Sequence, residues 1–224
     1  MDSVKIIEIK RSIFEDNDQD AERLRTQLKS EKIFLMNLMS SPGAGKTTTL
    51  MRTIAELQDR ITIGVMEADI DSAVDAETIS STGVKVIQLH TGGMCHLDAD
   101  MTRQGMQELG TAELDLVVLE NVGNLVCPAE FDTGASKNVM ILSVPEGDDK
   151  PLKYPLMFSM CDAVLINKID TVSVFDFDMN QVYDNIRMRN KRCKIFQISA
   201  KTGAGFEPWI NWLEDSIAEW NNWK

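Results

Sequence analysis

One stretch decides the fold of this chain: Ser40-Ser41-Pro42-Gly43-Ala44-Gly45-Lys46-Thr47-Thr48. The apolar run Ile33-Phe34-Leu35-Met36, continued by Leu38 and Met39, precedes it, and a helical pattern from Thr47 to Leu57 follows it. A buried strand, a glycine-containing loop and Gly-Lys-Thr at a helix start form the context of a phosphate-binding loop. The N–H groups at a helix start have no partner inside the helix, and the helix dipole adds positive potential there. We therefore predict that this loop binds nucleotide phosphates.

The residue types within the loop suit this chemistry. Gly43 and Gly45 allow the backbone to approach phosphate oxygens without a Cβ. Lys46 is expected to reach the β- and γ-phosphates, and the Thr47 hydroxyl is expected to ligate Mg²⁺. One departure concerns Ser40, because the general pattern has glycine at that position. The predicted phosphate-contacting residues are Gly43, Ala44, Gly45, Lys46, Thr47 and Thr48.

Length, charge and cysteine content limit the possible classes. The chain has 224 residues, which we divide into an N-terminal helical extension (1–30) and a nucleotide-binding domain (31–224). A net charge of −12 argues against nucleic acid as a partner. No apolar run approaches the ~18 residues of a membrane span. The N-terminus lacks an export-signal pattern, so we expect a cytoplasmic protein with four reduced cysteines.

The first thirty residues carry one apolar helical stripe. Ile7, Phe14, Ala21 and Leu28 recur at seven-residue spacing. We predict a helix that packs on the flank of the domain, with a break allowed at residues 16–18. A helix that docks a partner protein is the alternative.

Short apolar runs alternate with helical patterns along the rest of the chain. This alternation predicts an α/β fold, with right-handed βαβ units and a mainly parallel β-sheet flanked by helices. The last helix is predicted at about 206–223, where four tryptophans are interpreted as packing residues. The predicted strands are 33–39, 61–66, 84–89, 115–120, 138–144, 163–167 and 194–198.

Ligands of such sheets gather at the carboxyl ends of the strands. Carboxylates follow the second predicted strand, at Glu67, Asp69, Asp71 and Asp75. They suit Mg²⁺, which prefers oxygen ligands, but an acidic solvated loop with helix caps is equally compatible. Glu120 ends the fourth strand, three residues before a glycine. This arrangement is similar to the Mg²⁺- and γ-phosphate-sensing turn of P-loop NTPases, in which Asp is usual.

Cysteine and histidine follow two neighbouring strands. Cys95 and His96 come after the third strand, and Cys127 lies seven residues after Glu120, at most about 25 Å away. The topology allows these soft or borderline ligands to converge on a metal. Three ligands from one chain would leave room for a fourth, or a two-fold axis could pool ligands from two chains. Buried cysteines with a capping histidine remain the alternative. Cys161 and Cys193 are predicted as core residues.

Two motifs after the last strands indicate guanine. Asp170, in Asn167-Lys168-Ile169-Asp170, can accept hydrogen bonds from guanine N1–H and the 2-amino group, a pair that adenine lacks. In Ser199-Ala200-Lys201, a backbone N–H can reach guanine O6. The sequence therefore predicts GTP rather than ATP.

Three runs carry a family resemblance: Cys-His-Leu-Asp-Ala at 95–99, Glu-Asn-Val-Gly-Asn-Leu-Val-Cys-Pro-Ala at 120–129 and Glu-Gly-Asp-Asp at 146–149. With the nucleotide motifs, the chain resembles the HypB family of hydrogenase nickel-incorporation GTPases, of the SIMIBI class, over about 31–203. The resemblance implies a GTPase metallochaperone that works with hydrogenase maturation factors to load nickel into the [NiFe]-hydrogenase large subunit. It also implies a GTP-favoured homodimer in which Cys95, His96 and Cys127 bind Ni²⁺ or Zn²⁺ near the interface.

The resemblance also assigns residues by position. The residues implied to be catalytic are Lys46, Asp69, Asp75 and Glu120. Thr47, Asp69, Asp75 and Glu120 belong to the Mg²⁺ region. The base-reading residues are Asn167, Lys168, Asp170, Ser199, Ala200 and Lys201. Residues 1–32 contain neither His nor Cys, so we do not expect the N-terminal nickel-storage site of some members.

Three alternatives stay open. The urease-maturation GTPase is also a nickel chaperone, but it carries Cys-Pro-His where Ala129 follows Pro128 here. A GTPase chaperone for cobalamin enzymes would need no Cys–His site. A non-enzymatic module, in which nucleotide only stabilises a docking surface, comes from a different class.

Overall fold

The computed structural model describes residues 9–69 and 74–222, with side chains described over 14–68 and 75–222. The strands are Phe34–Ser40 (β1), Ile63–Asp69 (β2), Lys85–His90 (β3), Leu116–Glu120 (β4), Lys137–Ser143 (β5), Ala163–Asn167 (β6) and Lys194–Gln197 (β7). The helices are Ile9–Glu31 (α1), Lys46–Leu57 (α2), Val74–Ser80 (α3), Ala99–Leu109 (α4), Cys127–Glu130 (α5), Lys150–Lys153 (α6), Pro155–Met160 (α7), Met179–Arg189 (α8) and Phe206–Asn221 (α9). Short 3₁₀ turns occupy Val144–Glu146 and Ile169–Thr171.

The strands form one sheet in the order β3-β2-β4-β1-β5-β6-β7, and every described pairing is parallel. The seven predicted strands are confirmed: β6 has the predicted ends, and the other six strands are shifted at one or both ends. The largest shift is in β2, which begins two residues later than predicted and continues to Asp69. Glu67 therefore lies inside a strand rather than in a loop.

The central strand shows why the sheet is buried on both sides. All seven residues of β1 are buried. Phe34, Met36 and Leu38 pack with α2 and α9 on one face. Leu35 packs on the other face, in the cluster that includes side chains of α1 and α4. A nearly continuous apolar run is the sequence pattern of such a strand, and here Asn37 is the one polar residue before the terminal Ser40.

The N-terminal helix packs on the flank of the sheet, as predicted. Leu24 and Leu28 of α1 are buried in one cluster with Met106 and Leu109 of α4. The helix continues through residues 16–18, where the sequence allowed a break. It continues because the amide of Asn17 is buried and hydrogen-bonded, while its two flanking aspartates point to solvent. Ile7 lies outside the described residues, and the proposed boundary at residue 30 stays a prediction.

The tryptophans of α9 pack, as predicted, as far as they are described. Trp209 donates its indole N–H to Thr53 Oγ1 at 3.1 Å, and Trp220 donates to the Ile33 carbonyl at 2.8 Å. Trp212 stacks on Trp209. Trp223 lies outside the described residues.

Within residues 9–69 and 74–222, no helix combines the length and apolarity needed to cross a bilayer.

Candidate nucleotide and metal site

The predicted phosphate-binding loop lies between β1 and α2 at the centre of the sheet. Gly43 and Gly45 have φ values of 76° and 97°, in the left-handed region that favours glycine. Gly45 also has a close neighbour, because a Cβ there would lie 2.7 Å from Asn167 Nδ2. The loop delivers the backbone to the first turn of α2, where anions bind.

Ser40, which stands where the general phosphate-loop pattern has glycine, is accommodated at the end of β1. Ser40 is the last residue of β1, fully buried and in register with Ile141. Its hydroxyl donates to the Ser41 carbonyl at 2.7 Å. The Ser41 hydroxyl donates to a carboxylate oxygen of Glu146. The other Glu146 oxygen accepts from the Ser143 N–H and hydroxyl, each at 2.8 Å. The loop is therefore tied to the end of β5.

Two predicted Mg²⁺-region residues meet. The Thr47 hydroxyl donates to Glu120 Oε1 at 3.0 Å. Glu67 and Glu120 are paired in register on β2 and β4, and both are buried, at 2% and 1% exposure. A hydroxyl and carboxylates form an oxygen donor set that fits Mg²⁺. Glu67 was recognised in sequence only as one member of an acidic group.

For the other two predicted Mg²⁺-region residues, Asp69 and Asp75, the structure gives the position on an element of the fold. Asp75 lies in the first turn of α3 and is half-buried. Asp69 ends β2 opposite His90, but its side chain lies outside the described residues. Residues 70–73, including Asp71, connect these two positions and are likewise outside the description.

Asn167 joins the phosphate loop to the predicted base-reading loop. Its Nδ2 donates to the Ala44 carbonyl at 3.0 Å, and its Oδ1 accepts from the Ala200 N–H at 3.1 Å. Lys168 donates its ammonium to the Gly43 carbonyl at 2.7 Å. The two motifs, far apart in sequence, therefore form one surface.

The carboxylate that is predicted to read the base, that of Asp170, is oriented by the loop predicted to act with it. The Ser199 hydroxyl donates to Asp170 Oδ1 at 2.6 Å. Asp170 and Lys201 are exposed, which leaves them accessible to a ligand. Arg52 of α2, which no sequence motif indicated, donates its Nε–H to the Ala200 carbonyl at 2.8 Å.

The structure brings together two of the three predicted transition-metal ligands. Cys95 Sγ and Cys127 Sγ lie 2.7 Å apart, and both cysteines are free thiols of intermediate exposure. The pKa of Cys127 is raised, chiefly because its thiol is paired with that of Cys95 and also because of burial. Two adjacent sulfurs are soft ligands that suit nickel or zinc.

The third predicted ligand lies elsewhere. The His96 ring stacks on Phe131 with centroids 3.8 Å apart and planes at 12°. Burial lowers the pKa of His96 against the opposing effect of Asp98 and Glu130, which favours the neutral imidazole. In the part of the chain that the structure describes, no three His, Cys, Asp or Glu side chains are grouped to hold a metal. A three-ligand site within one chain is therefore not formed in this arrangement.

The segment between β4 and α5, residues 121–126, connects the two chemistries; we call it the β4–α5 connection. It begins after Glu120, the acceptor of the Thr47 hydrogen bond, and ends before Cys127. A Cβ on Gly123 would lie 3.2 Å from Pro42 Cγ, so this segment also packs on the phosphate loop. Only the six residues of this connection thus separate the Glu120 carboxylate from the Cys127 thiol.

The remaining cysteines are core residues, as predicted. Cys161 and Cys193 are buried at 1% and 0% exposure. Burial raises the pKa of Cys161 well above its ordinary value and that of Cys193 to about 12. Both thiols therefore stay protonated near neutral pH, as expected for buried cysteines in the core.

Fold and site together define a nucleotide-binding P-loop protein with the fold of SIMIBI-class GTPases. Residues 34–197 match the family described as CobW/HypB/UreG, nucleotide-binding domain. The chain belongs to this family. A hydrogenase maturation factor HypB from Rhizobium leguminosarum bv. viciae is 42% identical over 218 residues, 97% of this chain and 73% of the relative. A hydrogenase/urease maturation factor HypB from Helicobacter pylori is 39% identical, over 97% of this chain and 90% of the relative.

Solved structures give the same grouping. HypB from Helicobacter pylori in complex with nickel superposes with a TM-score of 0.85 at 39% identity, covering 91% of this chain and 96% of that structure. HypB from Archaeoglobus fulgidus gives 0.84 at 36% identity, covering 90% and 98%. The signal recognition particle receptor FtsY from Elizabethkingia anophelis gives 0.56 at 13% identity, covering 96% and 78%, and shares the fold alone.

Proposed function

We propose that this protein is a GTP-hydrolysing metallochaperone that binds nickel and assists nickel insertion during [NiFe]-hydrogenase maturation. Relatives at about 40% identity are named hydrogenase maturation factors, and one solved relative is a nickel complex. The partners we propose are hydrogenase maturation factors, the hydrogenase large subunit and a second copy of this chain.

The observation that carries the proposal is the β4–α5 connection. One end follows a carboxylate that accepts from Thr47, and the other precedes a thiol in contact with Cys95. Its middle packs on Pro42 of the phosphate loop. A change in the phosphate loop therefore has a short covalent path to the thiol pair. For such coupling to exist, the two nucleotide states must differ in their contacts with this segment.

The phosphate side supports hydrolysis by positioning. Thr47, with Glu120 and the neighbouring Glu67, would hold Mg²⁺, which neutralises charge on the phosphates when it is bound. Lys46 at the start of α2 would add a positive charge at the β- and γ-phosphates. Asp69 and Asp75 remain proposed members of this region. Guanine would be recognised by Asp170, with Ser199 holding one oxygen of its carboxylate.

The thiol side supports metal delivery. Cys95 and Cys127 provide two sulfur ligands for Ni²⁺ or Zn²⁺ cargo. His96 is kept neutral by burial and becomes a third ligand when its ring leaves Phe131. A second copy of the chain across a two-fold axis would bring another thiol pair, which is the basis for proposing a GTP-dependent homodimer.

Measuring phosphate release from GTP distinguishes a GTP-hydrolysing enzyme from a module that only binds the nucleotide. We expect the purified protein to release phosphate from GTP slowly, with a rate at least about 10²-fold above that of Lys46→Ala. Lys46→Ala should bind nickel as tightly as the unaltered protein in the absence of nucleotide, because its side chain lies outside the thiol pair. Equal phosphate release by both proteins would exclude GTP hydrolysis at this site.

Nickel delivery to urease is a second candidate, because two Helicobacter relatives are named hydrogenase/urease maturation factors. The two candidates share the nickel chemistry and differ in the recipient enzyme. Loss of hydrogenase activity, with urease activity retained, in a strain lacking this protein favours the first candidate. The converse favours the second.

A further inference from the structure

The buried amide of Asn17 joins α1 to two loops at once. Asn17 is only 9% exposed. Its Oδ1 accepts from the backbone N–H of Ala99 at 2.9 Å. Its Nδ2 donates to the carbonyl of Asp132 at 3.0 Å. One short side chain therefore bridges the start of α4 and the segment after α5.

Each of the two bridged segments lies close in sequence to one of the paired thiols. Ala99 lies four residues after Cys95, and Asp132 lies five residues after Cys127. The two sulfurs lie 2.7 Å apart. The two hydrogen bonds of Asn17 therefore connect the backbones of the two segments that carry the thiols.

Further contacts fix the position of α1 against the second loop. Arg25 donates from Nη2 to both oxygens of the Asp132 carboxylate, each at 2.7 Å. Its Nε–H also donates to the Ala135 carbonyl at 3.1 Å. Hydrogen bonds between a guanidinium and a carboxylate are shorter and stronger than those between neutral groups. These contacts hold α1, and with it Asn17, in place against residues 132–135.

The same helix reaches the histidine through an aromatic stack. The Phe14 ring lies 4.9 Å from that of Phe131, which stacks in turn on His96. Contacts from α1 therefore extend to the loops of all three proposed metal ligands.

We infer that Asn17 is a positioning residue that sets the spacing of the Cys95 and Cys127 thiols and so prepares them for a soft metal ion. An amide can accept with its oxygen and donate with its nitrogen, which a carboxylate or an aliphatic side chain of this size cannot do. Binding groups held in advance need less ordering when the ligand arrives. The metal part of this inference rests on the proposed function, whereas the thiol spacing does not.

The spacing is tested on the full-length protein by disulfide exchange with glutathione. Two cysteine thiols and one glutathione disulfide give one protein disulfide and two glutathione thiols, so the equilibrium measures the effective concentration of one thiol at the other. We expect Asn17→Ala to lower the effective concentration by about tenfold or more, because both hydrogen bonds that connect the two segments are lost. Gln19→Ala, an exposed truncation on the same helix, should leave it unchanged.

Asn17→Asp separates the bridge from simple packing. It keeps the volume and the acceptor for Ala99, but it places an oxygen against the Asp132 carbonyl. We expect Asn17→Asp to lower the effective concentration of the thiols about as much as Asn17→Ala does. Gln19→Glu controls for the added charge. Unchanged guanine-nucleotide affinity verifies that each variant is folded. A wild-type equilibrium for Asn17→Asp, or for both variants, would overturn the inference.

Nickel titration of the same proteins, followed by thiolate-to-metal absorption, gives the second readout. We expect nickel affinity to fall in parallel with the effective concentration. If the unaltered protein binds no nickel while Asn17→Ala still changes the exchange equilibrium, the proposed function fails and the positioning role stands. If nickel affinity falls while the exchange equilibrium stays unchanged, the positioning role is wrong.

Discussion

The guanine side and the thiol side of this sheet edge are built differently. On the guanine side, Asn167 bonds to both the phosphate loop and the base-reading loop, and Lys168 adds a further bond to Gly43. On the thiol side, Cys95 and Cys127 meet, but His96 stacks on Phe131 instead of joining them. A nucleotide surface is thus organised by one chain, whereas a metal site of three or four ligands needs a movement or a second chain.

The largest effect is expected at Asp170, the residue predicted to recognise the guanine base. Asp170→Asn replaces a double acceptor with one acceptor and one donor, which matches xanthine instead of guanine. We expect guanine-nucleotide affinity to fall and the preference for guanine over xanthine to change by about 10³-fold or more, because unmatched buried polar groups are strongly rejected. Competition binding with GDP and xanthosine diphosphate measures this change. An unchanged preference would remove Asp170 from base recognition.

On the thiol side, Cys127→Ala removes one sulfur ligand. We expect nickel and zinc affinities to fall by about 10- to 100-fold or more, with GTP hydrolysis retained. An exposed residue outside the β4–α5 connection supplies the control, since Met188→Ala on α8 should change neither property. Metal titrations of the two variants, with phosphate release measured in parallel, are sufficient. Titrations of Cys127→Ala that match the unaltered protein would disprove the metal assignment.

The smallest effect is expected at Arg52, which supports the base-reading loop from α2. Arg52→Met should weaken guanine-nucleotide binding by about fivefold, because the Ala200 carbonyl loses its charged donor while the other loop contacts remain. Arg60→Met removes a more exposed cation just after α2, in an ion pair with Glu214, and serves as the control. Equal affinities for the two variants would show that Arg52 does not position the loop.

Periodicity and strand-end position predicted the seven strands and the elements that carry each motif. Local pattern could also place Cys161 and Cys193 in the core, because each precedes an apolar strand. It could not predict the bridge of Asn17, whose partners lie 82 and 115 residues away in sequence. Those contacts depend on how α1 packs against the finished sheet. The acidic run at 16–18 suggested a possible break because sequence alone does not show that the central amide has buried partners.

His96 and Glu146 illustrate the same limit at the site. Adjacent Cys95 and His96 read as one ligand pair, yet neighbouring residues of a loop can point to different surroundings, and Phe131 provides an aromatic surface for the ring. Glu146 was noted only as part of a resemblance, although its carboxylate connects Ser41 of the phosphate loop to Ser143. Both outcomes are set by residues distant in sequence.

The central claim is that nucleotide state reaches the thiol pair through the β4–α5 connection. The most direct test measures the affinity of the purified protein for nickel, together with its oligomeric state, once with GDP and once with a non-hydrolysable GTP analogue. Coupling through this segment predicts affinities that differ by about fivefold or more, with the dimer favoured by the analogue. Equal affinities and equal oligomeric states in the two conditions would contradict it.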